Sequence, residues 1–345
     1  MRTFHAVAMK NYVLTLMAVL VFTVVPAAGQ AKKAAWTPPR TPDGQPDLQG
    51  VWTNNSVTPL QRPKELAGKE FYTEAELAEV QKQQRDRLKR DYDEGEGQAP
   101  TNHSGIPGAP ADDVHYDFAQ FGLDRLQSTV AWNRRTSLIV GPDGTIPPLT
   151  PEARKKLAEK AAKESGHEFD SAEHRPLEAR CIARAGVGPP LLPSGYNSNL
   201  QIVQGGGYVA IEAEEIHDVR IIPLDGRPHL PANIRQWLGD SVGHWEGNTL
   251  VIDTTNFTDR TPFAGAQNLH VIERITRTDQ DTILYQFTVE DPGMWIRPWS
   301  GEMPIKKISG QLYEYACHEA NYGLANTLSG ARVAEAEAGA KKAAQ

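Results

Sequence analysis

Chemistry in this chain would have to come from four short stretches. Glu214-Glu215-Ile216-His217-Asp218-Val219-Arg220 crowds ionisable groups into otherwise β-prone sequence. In a straight strand Glu214, Asp218 and Arg220 would share one face and His217 the other, unless a bulge or turn near Glu215 changes the register. Such a set suits acid/base work, with the Arg220 guanidinium holding an anionic or carbonyl group. The competing reading is a solvated strand face laced with cross-strand ion pairs.

The second stretch, Gly239 to Gly247, is a glycine-rich loop entering a strand. Ser241 is not framed as Gly-x-Ser-x-Gly, and no Gly-Lys-Ser/Thr follows, so neither a nucleophile elbow nor a phosphate loop is present. His244 and Glu246 are two apart and would share a face as ligand contacts. The plainer alternative is a tight connection with Trp245 against the core. The third stretch runs from Glu290-Asp291-Pro292 to Arg297-Pro298-Trp299. It would suit a rim over a pocket, with Trp295 and Trp299 stacking on an apolar ligand, or a simple turn.

The fourth is Glu314 to Asn321, holding Cys317, His318 and Glu319. If Cys317 is bonded to Cys181, near Tyr196, then His318 and Glu319 are carried on a rigid element, as a site requires. A free Cys317 beside His318 would instead permit thiol catalysis. Histidines 217, 229, 244 and 318 lack the spacing of a metal motif, and His-Glu-x-x-His is absent, so neither a metal nor a cofactor is expected.

Compartment decides between the two cysteine readings. Arg2 and Lys10 precede an apolar run, Tyr12 to Val25, and small residues follow at Pro26-Ala27-Ala28-Gly29. That is the layout of a secretory signal, cleaved after Gly29 or Ala31, and the run is shorter than the ~20 residues of a membrane span. An uncleaved anchor is the alternative. Export to the periplasm or the medium makes two cysteines a disulfide rather than two buried thiols. Net charge is −7. With no basic stripe interleaved with aromatics, nucleic acid is not an expected partner; a small molecule is. The sequence does not specify an oligomeric state.

The elements that would carry these residues are mostly strands. Residues 30–46 are a proline-rich leader, and 47–53 (DLQGVWT) a short strand. Thr73 and Glu76 form a capping box for a charged helix over 74–92, a flexible loop fills 93–113, and Arg135 to Pro148 reads as strand, turn and strand. Thr150 and Pro151 open a second helix ending near 165. Strands are then expected at 200–204, 208–214, 217–224, 249–256, 270–278, 282–290 and 311–318, separated by glycine-rich or Asp-Gly turns. Such spacing predicts a mainly β chain, an antiparallel meander closing into a barrel, with a β-sandwich as the alternative. Residues 60–185 would be a partly helical insertion in a single domain over 47–330, followed by an alanine-rich tail at 331–345.

Gly50-Val51-Trp52 resembles the opening strand of lipocalin-like barrels, whose Gly-x-Trp sits at the closed end. Longer stretches resemble a group of secreted proteins of environmental bacteria: TPDGQPDLQGVWT, RTSLIVGPDGTIPPLTPEA, GYNSNLQIVQ, HDVRIIPLDGRPH, GHWEGNTLVIDTTNF and YACHEANYGL. In that group the last motif reads Cys-His-Glu-Gly-Asn, where this chain has Ala320. The resemblance implies no particular activity. The residues themselves suggest an enzyme acting on a small apolar or aromatic molecule in a barrel pocket, with His217 or His318 as base, Glu214 nearby and Arg220 stabilising the anion. A non-catalytic carrier of a hydrophobic ligand is the second reading.

Overall fold

The computed structural model describes residues 36–95, 130–141, 143–194, 197–261, 263, 268–319 and 321–344, with backbone alone for 87–95. The expected export segment, most of the 93–113 loop, Tyr196 and Ala320 lie outside the described residues. The compact unit Thr37–Gln345 carries every element below.

Nine strands form one sheet: β1 (Gly50–Thr53), β2 (Asn199–Gly205), β3 (Tyr208–Ala213), β4 (Val219–Pro223), β5 (Asp240–Glu246), β6 (Thr249–Thr255), β7 (His270–Asp279), β8 (Thr282–Glu290) and β9 (Trp299–Lys307). Their order is β4-β3-β2-β1-β9-β8-β7-β6-β5, and every hydrogen-bonded pair is antiparallel. β1 bridges β2 and β9, so the meander returns on itself as a nearly closed, lipocalin-like barrel rather than a sandwich. An odd ring cannot alternate direction all the way round, so one neighbouring pair must run parallel. β4 and β5 are that pair, and they share no ladder. Gly243 lets them approach, because a Cβ there would sit 2.8 Å from Ile222 Cγ2 and 2.9 Å from Leu224 Cδ2.

Alternation sets the two faces. In β7, Val271, Glu273, Ile275 and Arg277 are buried, while His270, Ile272, Arg274 and Thr276 between them lie toward the outside. The inward side chains fill the lumen. Val209, Ile222, Ile252, Val271, Tyr285 and Met303 are all 0% exposed. No water-sized void touches these six side chains, so the part of the lumen they line is a packed core. Gly301 makes room for an aromatic ring, since a Cβ there would meet Phe287 Cζ at 2.3 Å.

Tight turns close one end, at Gly206-Gly207, Gly247-Asn248 and Gln280-Asp281. Trp52 packs there, its indole N–H donating to the Leu48 carbonyl at 3.0 Å and the Arg277 guanidinium 5.5 Å above its ring. Helices α1 (Glu74–Gly95) and α2 (Pro151–Glu164) lie in the β1–β2 connection. Both expected caps form: Thr73 N–H donates to Glu76 Oε2 at 2.8 Å, and Ala153 N–H to Thr150 Oγ1 at 3.1 Å. The same connection extends the sheet beside β9, with Val140 N–H on the Ser300 carbonyl and Glu302 N–H on the Leu138 carbonyl, each 2.9 Å. Pro304 falls between this patch and β1. Its missing N–H would point, like that of Glu302, away from β8, into a gap where no ladder bond is needed.

Several segments differ from the sequence expectation. Arg135 to Pro148 forms isolated bridges, at Arg135 and Ile139, rather than two strands. Residues 240–246 are a full strand rather than a loop. Residues 299–307 form β9, where no strand was expected. Residues 311–318 are not a strand, because their contacts are to the β3–β4 turn and a disulfide rather than a ladder. Helix α3 (Tyr322–Ala343) follows, running through most of the stretch read as a tail.

Candidate functional site

A buried ionic group lies in the lumen. Arg220 on β4 reaches Glu273 on β7 in a two-pronged pair at 2.6 and 3.0 Å. The Tyr285 hydroxyl donates to Glu273 Oε1 at 2.7 Å and accepts the Leu191 N–H at 2.8 Å. Burial alone would lower the Arg220 pKa, but the charge and hydrogen bonds of Glu273 outweigh it and leave it above the ordinary value. Burial pushes the Tyr285 hydroxyl well up, and the adjacent carboxylate adds to this. The group is buried, and Arg220 on β4 is tied through it to β7 across the width of the barrel.

The β3–β4 connection is a helical turn, Glu215–His217, with left-handed backbone at Ile216 (φ 65°) and His217 (φ 49°). This turn cancels strand alternation. Glu214 and Glu215 are both buried, and His217 is exposed. Burial raises the Glu214 carboxyl above its ordinary pKa, partly offset by hydrogen bonds from Asn199 Nδ2 (2.7 Å) and the Tyr313 N–H. Glu215 pairs with Arg184, which also faces Glu178. His217 Nδ1 meets the Tyr315 carbonyl at 3.0 Å. Cys181 and Cys317 are joined, with Cα atoms 5.7 Å apart, so the 313–317 segment is stapled beside this turn. The structure therefore brings Glu214, His217 and the disulfide to one rim. His318 and Glu319 follow on the exposed side.

The other anticipated contacts lie elsewhere. His244 and Glu246 share the outer face of β5, 3.3 Å apart, and Glu246 also accepts from Arg274 at 2.8 Å. Trp299 is buried in an aromatic cluster, with ring centroids 5.7 Å from Trp295, 5.8 Å from Phe287 and 6.0 Å from Phe263.

Two features were not anticipated. The first is a chain of alternating carboxylates and imidazoles across β5, β6, β7 and β8. His229, from the β4–β5 crossover, bonds Asp240 through Nδ1 and Asp253 through Nε2, both at 2.9 Å. His270 bonds Asp253 at 3.0 Å and Glu290 at 3.4 Å. A carboxylate only accepts, so His270, lying between two of them, is placed to donate from both ring nitrogens, the arrangement of an imidazolium. Accordingly the hydrogen bond to Asp253 leads in raising the His270 pKa, and His270 in return lowers that of Asp253. Among the described residues no group of three or more His, Cys, Asp or Glu is arranged to hold a metal ion.

The second is a cleft of about 660 Å³ on the outside of β8 and β9. Leu284 and Pro304 are directly paired and form its floor. A small ladder from the β1–β2 connection overhangs it: Tyr72 N–H donates to the Arg134 carbonyl at 2.7 Å and Thr136 N–H to the Glu70 carbonyl at 3.1 Å. That ladder presents Phe71, Asn133 and Arg134 to the cleft. Phe71 stays 48% exposed for a large aromatic. Arg135, beneath it, is buried between Glu70 (3.1 Å) and Glu302 (3.2 Å). In the sequence Phe71 stands far from the Arg134-Arg135 pair, and only the fold brings 71 and 134 over Leu284.

Fold and surface together define a nearly closed antiparallel β-barrel with buried inward side chains and an external apolar cleft. Protein-family models and curated proteins give no match to the chain. Among solved structures it is similar to a crystal structure of a mutant of the fluorescent protein UnaG, at 15% identity over 39% of this chain and 86% of that one, with a TM-score of 0.23.

Proposed function

We propose that this protein binds a small, largely apolar molecule outside the cytoplasm, and that it does so in the cleft against β8 and β9 rather than in the barrel lumen. The carrying observation is the cleft's size and lining. It falls within the ~300–1,000 Å³ typical of small-molecule sites, with carbon-rich walls and a few polar groups at its edge. The disulfide and the leader's composition favour an oxidising compartment. N-phenyl-1-naphthylamine, a neutral aromatic probe, should raise the melting temperature of the wild-type protein and not that of Leu284→Asp. Equal stabilisation of both would sink the reading.

A second reading, acid/base catalysis at the stapled rim, is favoured by the raised carboxyl of Glu214 beside the His217 turn. It would use Glu214 and His217, with His318 close behind. In a thermal-shift screen of small carbonyl compounds, a hit lost in Glu214→Gln, His217→Ala and His318→Ala alike supports it. Hits indifferent to all three count against it.

A further inference from the structure

The polar edge of the cleft is lopsided, and the imbalance says what kind of molecule fits. Its acidic members are already engaged: Glu302 accepts from Arg135 at 3.2 Å and from Gln286 at 3.2 Å, and Glu70 accepts from Arg135 at 3.1 Å. Its donors are not. Asn133 spends its Oδ1 on the Arg135 N–H at 3.0 Å and the Thr58 hydroxyl at 3.3 Å, while its amide N–H₂ meets no acceptor among the described residues. Arg134 donates through Nε to the Tyr72 carbonyl at 3.0 Å, and its two terminal nitrogens likewise meet no acceptor there. That single bond closes back on the strand partner whose N–H the Arg134 carbonyl already holds. One nitrogen of this exposed guanidinium is thus tied back, which reduces what remains to be ordered when a ligand arrives. A planar fork of this kind matches a carboxylate or sulfonate.

We infer that the cleft takes an amphipathic anion: an aromatic or aliphatic body laid over Phe71, Leu284 and Pro304, with one carboxylate- or sulfonate-like head at Asn133 and Arg134. This rests on the cleft reading above and adds the ligand's class. Arg220 in the lumen does not offer such a fork, because Glu273 already closes it.

The test uses two probes with nearly the same aromatic body, 1-anilinonaphthalene-8-sulfonate and neutral N-phenyl-1-naphthylamine, titrated by fluorescence into the mature protein. Wild type should prefer the sulfonate. Arg134→Gln should weaken the sulfonate roughly tenfold, about one charge-assisted bond, and leave the neutral probe within twofold. Phe71→Ala should weaken both. If Arg134→Gln leaves sulfonate binding unchanged while Phe71→Ala weakens both probes, the anionic head is wrong and the cleft stands. If Phe71→Ala affects neither probe, the cleft reading falls and the ligand class with it.

Discussion

Glu273 stands on the apolar side of β7, in line with Val271 and Ile275, and Arg220 stands on the apolar side of β4 beside Ile222. A charge on the buried side of an alternating strand is a sequence signal, and both residues carry it. Arg220 was legible as an ionisable group, but its partner lies 53 residues on, and no spacing rule joins them. Their energetics follow from burial. Removing one member strands the other in a dry core, so Arg220→Met or Glu273→Gln should each cost about 3–5 kcal/mol in urea unfolding. The double replacement Arg220→Met with Glu273→Leu should recover much of that. A double variant as unstable as the sum of the two singles would show that the pair does not act as a unit. Gly301 is a second residue whose role is fixed by a neighbour. Gly301→Val drives a side chain into the Phe287 ring and should cost at least 1–3 kcal/mol, measured the same way.

At the level of elements, alternation carried most of the barrel, and the failures share a cause. β5 and β9 are interrupted by Gly243, Gly301 and Pro304, residues that weaken any strand reading, and each is there for a tertiary reason: a seam to close, a ring to admit, a gap to sit in. The 311–318 segment has strand composition, yet a disulfide and the Glu214–His217 turn hold it instead. The imidazole–carboxylate chain was equally hidden, because Asp253 and His270 meet only through the β6–β7 register. Its pH behaviour can be worked out. His270 is held above its ordinary 6.5, so its contribution is complete below 6.5 and is lost as pH rises through the higher folded value. Asp253 is held below 3.8, so its contribution exists above 3.8 and is lost as pH falls through the lower folded value. The His270–Asp253 link between β7 and β6 is therefore strongest in mildly acidic solution. His270→Gln should lower stability by no more than about 1 kcal/mol near pH 5.5, since Asp253 and Glu290 are 38% and 43% exposed and water screens them. The deficit should shrink as the solution is made alkaline. A deficit constant with pH would mean that the ring matters only for packing.

Across the whole molecule, the disulfide fastens the chain after β9 to the connection before β2. Asn321 reinforces that join by donating to the Ala179 carbonyl at 3.1 Å while capping α3. The bond spans 136 residues, so a chain-entropy account allows up to ~4–5 kcal/mol, and strain or residual structure would reduce it. Replacing both cysteines with serine should lower the urea midpoint and expose the α3 segment to proteases before the barrel is cut. Simultaneous loss of both would mean that the staple serves the barrel itself. The pairing could be reasoned from compartment alone, and so could the barrel from strand rhythm. A filled lumen could not, because the number of inward side chains says nothing of whether they meet in the middle. Methyl-detected NMR of the mature protein, titrated with N-phenyl-1-naphthylamine, addresses that point directly. Shifts centred on Leu284 with the lumen methyls of Ile211, Leu250 and Val271 unmoved are the predicted result. Shifts centred on those three, with Leu284 silent, would contradict it.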